Sequence, residues 1–210
     1  LASVEPHLTL RRCDGRSFGL ARRVALAMSR AGAFVLALAA CCTLLASSRP
    51  ASAPAENDEY TVKAAFLYNF TKYVKWPADA LEKEDTPIVV AVLGTDPFGK
   101  KLDDAFKGKL IGKHPLSIVR WKTIDELSAC HLLFVPATEA ERLGKIVDHY
   151  AKSHTLLVGE FEGFAEHKGC LNFYIEDKKV RFEANAAAAK RAELEISPQL
   201  LKLARLVKEP

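Results

Sequence analysis

The stretch most suggestive of chemistry is Gly94-Thr-Asp-Pro-Phe-Gly99-Lys100-Lys101, which follows an apolar run and matches the Gly-x4-Gly-Lys part of a phosphate-binding loop. Such a loop cradles phosphates in backbone N–H groups and holds magnesium through the Ser or Thr after its lysine. Here Lys101 stands at the Ser/Thr position, and Asp96 puts a negative charge where phosphates would sit. Asp96-Pro97 also reads as an N-cap followed by a first helical residue, which would start the helix before the second glycine. The stretch is therefore read as a strand-turn-helix corner.

The other reactive side chains do not assemble by spacing. His149 and His154 are five apart, which does not put both on one helix face. His131 beside Cys130 is one pair at a strand edge, with no further ligand near it in sequence. No Gly-x-Ser-x-Gly elbow occurs, and serine beyond residue 55 is confined to Ser117, Ser128, Ser153 and Ser197. Carboxylates are scattered among lysines, as on a solvated surface, so no acid/base pair stands out. No catalytic residue, metal site or cofactor is assigned, and the chain reads as a non-enzyme.

The elements that would position any site begin with residues 59–77. This stretch lacks glycine and interior proline, carries Asp58 and Glu59 at its start, and meets Pro77 at its end, which predicts a helix. Val62, Phe66, Phe70, Tyr73 and Val74 recur at helical spacing, and Ala65, Tyr68 and Trp76 widen that apolar face. So aromatic a helix has more to cover than its own sheet. Residues 88–94, 131–136 and 155–159 are continuous apolar runs, as in strands buried on both faces, and 115–121 reads as a further strand.

Helices are expected between these strands: one from Asp96-Pro97 to Gly108, a short one near 124–129, and one opened by a Thr138/Glu141 capping box. Residues 171–176 and 180–185 alternate polar and apolar around Asp177-Lys178, which predicts a hairpin at a sheet edge. Helices over 184–192 and 198–207 close the chain, the second capped by Ser197.

Strands alternating with helices imply an α/β fold. We expect a three-layer, Rossmann-like or flavodoxin-like, mostly parallel sheet with an antiparallel edge hairpin and an added N-terminal aromatic helix. Open sheets of this kind bind ligands beyond the carboxyl ends of their strands, where Gly94, Asp96, Pro136, Thr138, Gly159 and Phe161 would lie. Cys130 and Cys170 precede the third and fifth strands. With the fourth strand between them they would be ~10 Å apart, too far for a disulfide, so they are expected not to pair with each other.

The first quarter of the chain reads as something other than this domain. Met28, the sole methionine, is followed by Ser29-Arg30 and an apolar core of signal-peptide length, then by Ala51-Ser52-Ala53-Pro54-Ala55, with cleavage after Ala53 or Ala55. Residues 1–27 are read as an extension ahead of the true start, 28–55 as a signal peptide and 56–210 as one domain in the periplasm. Leu38-Ala39-Ala40-Cys41 also fits the short pattern of an acylated lipoprotein cysteine, which leaves anchoring through Cys41 as the alternative. Residues 1–55 hold seven arginines, Glu5 and Asp14, so the remainder carries 23 basic and 24 acidic residues. That near-neutral balance leaves no nucleic-acid footprint.

Five blocks carry a resemblance: Lys63-Ala-Ala-Phe-Leu-Tyr-Asn-Phe70 with Trp76-Pro77, Val92-Leu-Gly-Thr-Asp-Pro-Phe-Gly99, Cys130-His-Leu-Leu-Phe134, Val180-Arg-Phe-Glu-Ala-Asn185, and Ile196-Ser-Pro-Gln-Leu-Leu-Lys-Leu-Ala-Arg205. In this order, over residues 59 to 207, the chain resembles the YfiR family. The resemblance implies an exported bacterial regulator whose namesake holds an inner-membrane diguanylate cyclase inactive through its periplasmic domain, until an outer-membrane lipoprotein sequesters it. It thereby implies control of cyclic-di-GMP and biofilm. Some members sit beside sensor kinases instead, and a periplasmic small-ligand sensor acting with such a kinase is the alternative function. The namesake's two disulfides need four cysteines, and only Cys130 and Cys170 remain here beyond the leader. Contacts to a partner are expected from Tyr68, Tyr73 and Trp76 on the aromatic helix, from Arg181 and Glu183 on the hairpin, and from the final helix. A homodimer is a further option.

Overall fold

A computed structural model of the protein describes residues 54–81 and 85–209. The extension and most of the leader, with Cys41, lie outside the described residues. The apolar runs form the centre of the sheet: β2 (Ile88–Leu93), β4 (His114–Trp121), β5 (Leu132–Val135) and β6 (Leu156–Gly159), followed by β7 (Leu171–Glu176) and β8 (Lys179–Ala184). Strands β4-β2-β5-β6-β7 lie side by side and all run parallel. Counted along the chain this is the 2-1-3-4-5 order of flavodoxin-like folds, with its switch point between β2 and β5.

The β7–β8 hairpin is antiparallel, and its Asp177-Lys178 turn has φ of 50° and 60° at the two residues. Both lie in the region a two-residue hairpin turn requires, which Asp tolerates best after Gly and Asn. Short strands finish the sheet at each side: β3 (Leu110–Ile111), antiparallel to β4, and β10 (Arg205–Leu206), parallel to β8. The sheet is therefore an α/β, mostly parallel, eight-strand structure flanked by helices α1 (Pro54–Tyr73), α2 (Lys100–Phe106), α3 (Leu143–His149), α4 (Ala186–Arg191) and α5 (Pro198–Leu201).

Several boundaries depart from expectation, each for a local reason. Helix α1 starts at Pro54 and ends at Tyr73, before Pro77. The residue ahead of a proline avoids the helical region. The chain accordingly extends into β1 (Val74–Lys75), which pairs antiparallel with β9 (Glu195–Ile196). The buried face of α1 is Lys63, Ala64, Leu67, Phe70 and Thr71, continued by Val74 of β1, whereas Val62 is exposed and Phe66 and Tyr73 are half-buried. The helix is thus turned so that a lysine faces inward, and Phe66 flanks the core against Phe173 and Phe182.

Asp96 does not cap α2; its Oδ1 accepts from Phe98 N at 2.7 Å, and the helix begins after Gly99. The Thr138/Glu141 box does not form either. Residues 137–142 make 3-10 turns, and Glu139 is the one that turns inward. Residues 124–126 are likewise a 3-10 turn. Ser197 caps α5 as expected, accepting from Leu200 N at 3.3 Å. That helix stops at Leu201, because the backbone edge of β8 captures Arg205–Leu206, and Val207 N donates to Ala184 O at 3.0 Å. Asn185 caps α4, accepting from Ala188 N at 2.9 Å.

Candidate functional site

Strands β2, β5 and β6 end on the same side of the sheet, so Gly94, Asp96, Pro136, Thr138, Gly159 and Phe161 all follow their carboxyl ends. The crevice there is occupied by the protein's own side chains. Phe98 is 2 % exposed and packs edge-on to Phe134 at 4.7 Å, with Tyr60 of α1 edge-on behind it at 5.4 Å. Glu139 fills the space over Gly94, where a Cβ would lie 2.7 Å from Glu139 Oε1. Its other oxygen accepts from Arg142 Nη1 at 2.7 Å.

Asp96 is held by Arg120, whose Nε donates at 2.6 Å, while the same guanidinium reaches Asp103 at 2.7 Å and Gly99 O at 3.1 Å. These hydrogen bonds raise the Arg120 pKa above its ordinary value, Asp103 contributing most and Asp96 next. The corner that resembles a phosphate loop is thus closed by its own ion pairs. The cause differs from the expected one, because the helix starts after the second glycine.

Sequence spacing did not reveal the buried pair beneath α1. Lys63 Nζ lies 2.8 Å from Glu160 Oε2 and 2.5 Å from Glu59 Oε1, with the Tyr60 ring 4.7 Å away. Lys63 falls on the stripe Lys63-Leu67-Phe70-Val74, and a lysine at that spacing was the available signal. Phe161 N donates to Asn172 Oδ1 at 3.1 Å, and Asn172 Nδ2 donates to Glu183 Oε2 at 3.1 Å. A polar chain therefore runs from the end of β6 to β8.

The five residues expected to meet a partner fall into two groups. Tyr68 stands over Phe106 of α2, with Lys109 Nζ 4.2 Å from its ring. Tyr73 lies beside Lys72, and Trp76 packs edge-on against His131 at 6.2 Å. These three are half-buried along the end of α1 and the segment after it. Arg181 and Glu183 belong to β8, at the other end of the sheet order from the strand that α2 leads into. Arg181 is exposed and 3.7 Å from Glu176, whereas Glu183 is already engaged by Arg205 as well as Asn172. Leu203, on the turn after α5, is 70 % exposed, two residues before the Arg205 that engages Glu183.

Among the described residues Trp76 Nε1 meets no acceptor, and its neighbour His131 is fixed by two backbone groups. Val89 N donates to His131 Nδ1 at 3.0 Å, so Nε2 carries the proton and donates to Ala80 O at 3.0 Å. Burial lowers the His131 pKa from its ordinary 6.5; the Ala80 carbonyl opposes this and His114 adds to it. Because the folded value lies below the unfolded one, the unfolded chain binds more protons as pH falls through 6.5. His131 therefore contributes stability above that pH which is lost on acidification, at up to about 1.4 kcal/mol per pH unit. Urea titrations between pH 7.5 and 5 are expected to show this slope, and His131→Gln to flatten it; equal slopes in both would refute the assignment.

Cys130 and Cys170 are free, buried thiols on either side of β6. Burial pushes both up to about 11, which leaves too little thiolate for redox exchange at neutral pH. An open groove of about 600 Å³ adjoins the filled part of the crevice past the carboxyl end of β6, lined by Leu143, Val147 and Phe161 and by Glu166, His167 and Lys168.

Among the described residues no three His, Cys, Asp or Glu side chains converge to hold a metal, and no helix is long and apolar enough to cross a membrane. No curated protein matches the chain. The YfiR/HmsC-like family profile matches residues 60–205, most of the chain and nearly all of the fold described above, and the protein belongs to that family.

Proposed function

We propose that this protein is a periplasmic regulator that restrains a membrane diguanylate cyclase by gripping the cyclase's extracytoplasmic domain. Membership of the YfiR/HmsC-like family carries the reading, since that family implies regulation of such an enzyme and not catalysis. The filled switch point supports it: Phe98, Tyr60 and Glu139 occupy the place after β2 and β5 where a fold of this kind holds its ligand, although a groove stays open past β6. A protein of this sort works by differential affinity. To hold its target almost wholly in one state it must bind that state by about 5.5 kcal/mol better than the other.

The half-buried aromatics Tyr68, Tyr73 and Trp76 are the proposed grip, since such rings supply large contact area at small entropic cost. Arg181 and Glu183 would form a rim on the opposite side. Deleting the gene in its native host is expected to raise cyclic-di-GMP several-fold. Wild-type protein should reverse the rise, and a Tyr68→Ala/Trp76→Ala variant of equal abundance and unchanged circular dichroism should not. An unchanged cyclic-di-GMP level on deletion, or full complementation by the double variant, would overturn the respective part of the proposal.

A further inference from the structure

Residues 100–113 concentrate positive charge in a domain that is otherwise acidic. They hold five lysines, Lys100, Lys101, Lys107, Lys109 and Lys113, against Asp103 and Asp104, a net charge of +3. Taking these from the 23 basic and 24 acidic residues beyond the leader leaves 18 against 22, a net charge of −4. The fold gathers part of this charge on one surface. Lys100 on α2, Lys107 in the turn after it and Lys109 ahead of β3 border one open groove of about 960 Å³. Both aspartates also line that groove, but Asp103 is already engaged by Arg120 at 2.7 Å. Among the lysines Leu110 stands 56 % exposed, on a hairpin whose Gly112 turn has a φ of 62°. Lysine at a sheet edge ordinarily guards it against further strands, which accounts for Lys109. It does not account for Lys100 and Lys107, which lie on and after a helix, nor for a bare leucine between Lys109 and Lys113.

We infer that this basic, leucine-tipped hairpin docks the protein on an anionic lipid surface. Lysines are drawn to such a surface by its charge, and an aliphatic side chain among them enters the boundary between headgroups and acyl chains. The charge asymmetry also sets the orientation. A surface that attracts residues 100–113 repels the acidic remainder, so the protein approaches hairpin first. Lys109 Nζ lies 4.2 Å from the Tyr68 ring, so docking in this way carries the aromatic end of α1 to the membrane. There it would meet the part of a membrane protein that emerges from the bilayer. The lipid contact is thus an addition to the proposed grip and does not depend on it.

The test is co-sedimentation of the protein, recovered after export, with vesicles of phosphatidylcholine alone or mixed with phosphatidylglycerol. Binding is expected only to the mixed vesicles. Raising the ionic strength from about 0.01 M to about 0.15 M, which shortens screening from about 30 Å to about 8 Å, should release most of it. Lys107→Gln and Lys109→Gln, both at exposed positions, should weaken binding by about fivefold each, and Leu110→Ser by several-fold. A Leu110→Trp variant reports from the hairpin itself. Its added emission should shift to the blue on the mixed vesicles and be quenched by lipid brominated on its acyl chains. Absence of binding at low salt, equal binding to both vesicles, or wild-type binding by the double glutamine variant would overturn the proposal. So would binding to soluble polyglutamate as tight as to the mixed vesicles, which would mean that any acidic polymer is taken. None of these outcomes involves a cyclase, so a failure here leaves the regulatory reading standing.

Discussion

Replacing Lys63 by Met is expected to lower the unfolding free energy by about 3–5 kcal/mol, the cost of leaving a buried charge without its partner. The Lys63 side chain is 5 % exposed and that of Glu160 is 8 %, and their charged atoms lie 2.8 Å apart. Glu59 also reaches Lys63, but at 29 % exposure its carboxylate can turn to water when the lysine is lost. Glu160 has no such outlet. It sits where β6 ends, under α1, and the rings of Tyr60 on that helix and of Phe173 on β7 flank the ammonium. The converse is as informative: Lys63→Met with Glu160→Met should recover stability to within about 1 kcal/mol of wild type, because two apolar side chains of similar volume need no pairing. Urea titrations of the two single variants and the double variant form the cycle. A double variant no better than Lys63→Met would show that packing, and not charge, dominates the site. Added salt should change little, since a pair this enclosed is poorly screened.

How far the sequence revealed this arrangement depended on the range of the interaction. The apolar runs of β2, β5 and β6 gave away the parallel sheet because strands buried on both faces have no polar alternative. The Asp177-Lys178 hairpin was equally legible, since alternation and turn chemistry lie within a few residues. The failures occur where a tertiary partner overrides a local preference. Asp96 and Pro97 form a sound helix start, yet Arg120, some twenty residues on, holds the Asp96 carboxylate outside the helix. Residues 202–207 have helical periodicity, but the open edge of β8 offers backbone partners that a lone helical turn cannot match. The inward rotation of α1 was hidden for the same reason, because Glu160, which makes a buried Lys63 tolerable, lies nearly a hundred residues away. The aromatic helix itself was visible, but the division of its rings between core and surface was not. Phe70 is fully buried while Tyr68 and Trp76 keep some exposure, a distinction set by α2 and His131 and not by spacing.

Phe164→Ala is expected to cost about 3–5 kcal/mol, and Gly169→Ala about as much as an overpacked core permits, about 3 kcal/mol. Phe164 is 0 % exposed and is wedged between two glycines that hold the loop from β6 to β7 in place. A Cβ on Gly159 would lie 2.7 Å from Phe164 Cδ1, and one on Gly169 would lie 2.7 Å from the Phe164 carbonyl oxygen as well as meeting the ring. The ring cannot withdraw, because Gly169 N donates to Phe164 O at 3.0 Å and Cys170 N donates to Leu157 O at 3.0 Å, locking both ends of the turn. This geometry predicts strong coupling of a particular form. In a Phe164→Ala background the Gly159→Ala penalty should nearly vanish, since its methyl group would enter the cavity the ring has left. The Gly169→Ala penalty should only be halved, because the clash with the backbone carbonyl remains. The loop they anchor carries Glu160 and Phe161, so Gly169→Ala should also loosen the Lys63 pair and speed amide exchange in the first turns of α1. Additive penalties at both glycines would mean that Phe164 is free to move, and that the end of β6 owes its shape to something other than this wedge.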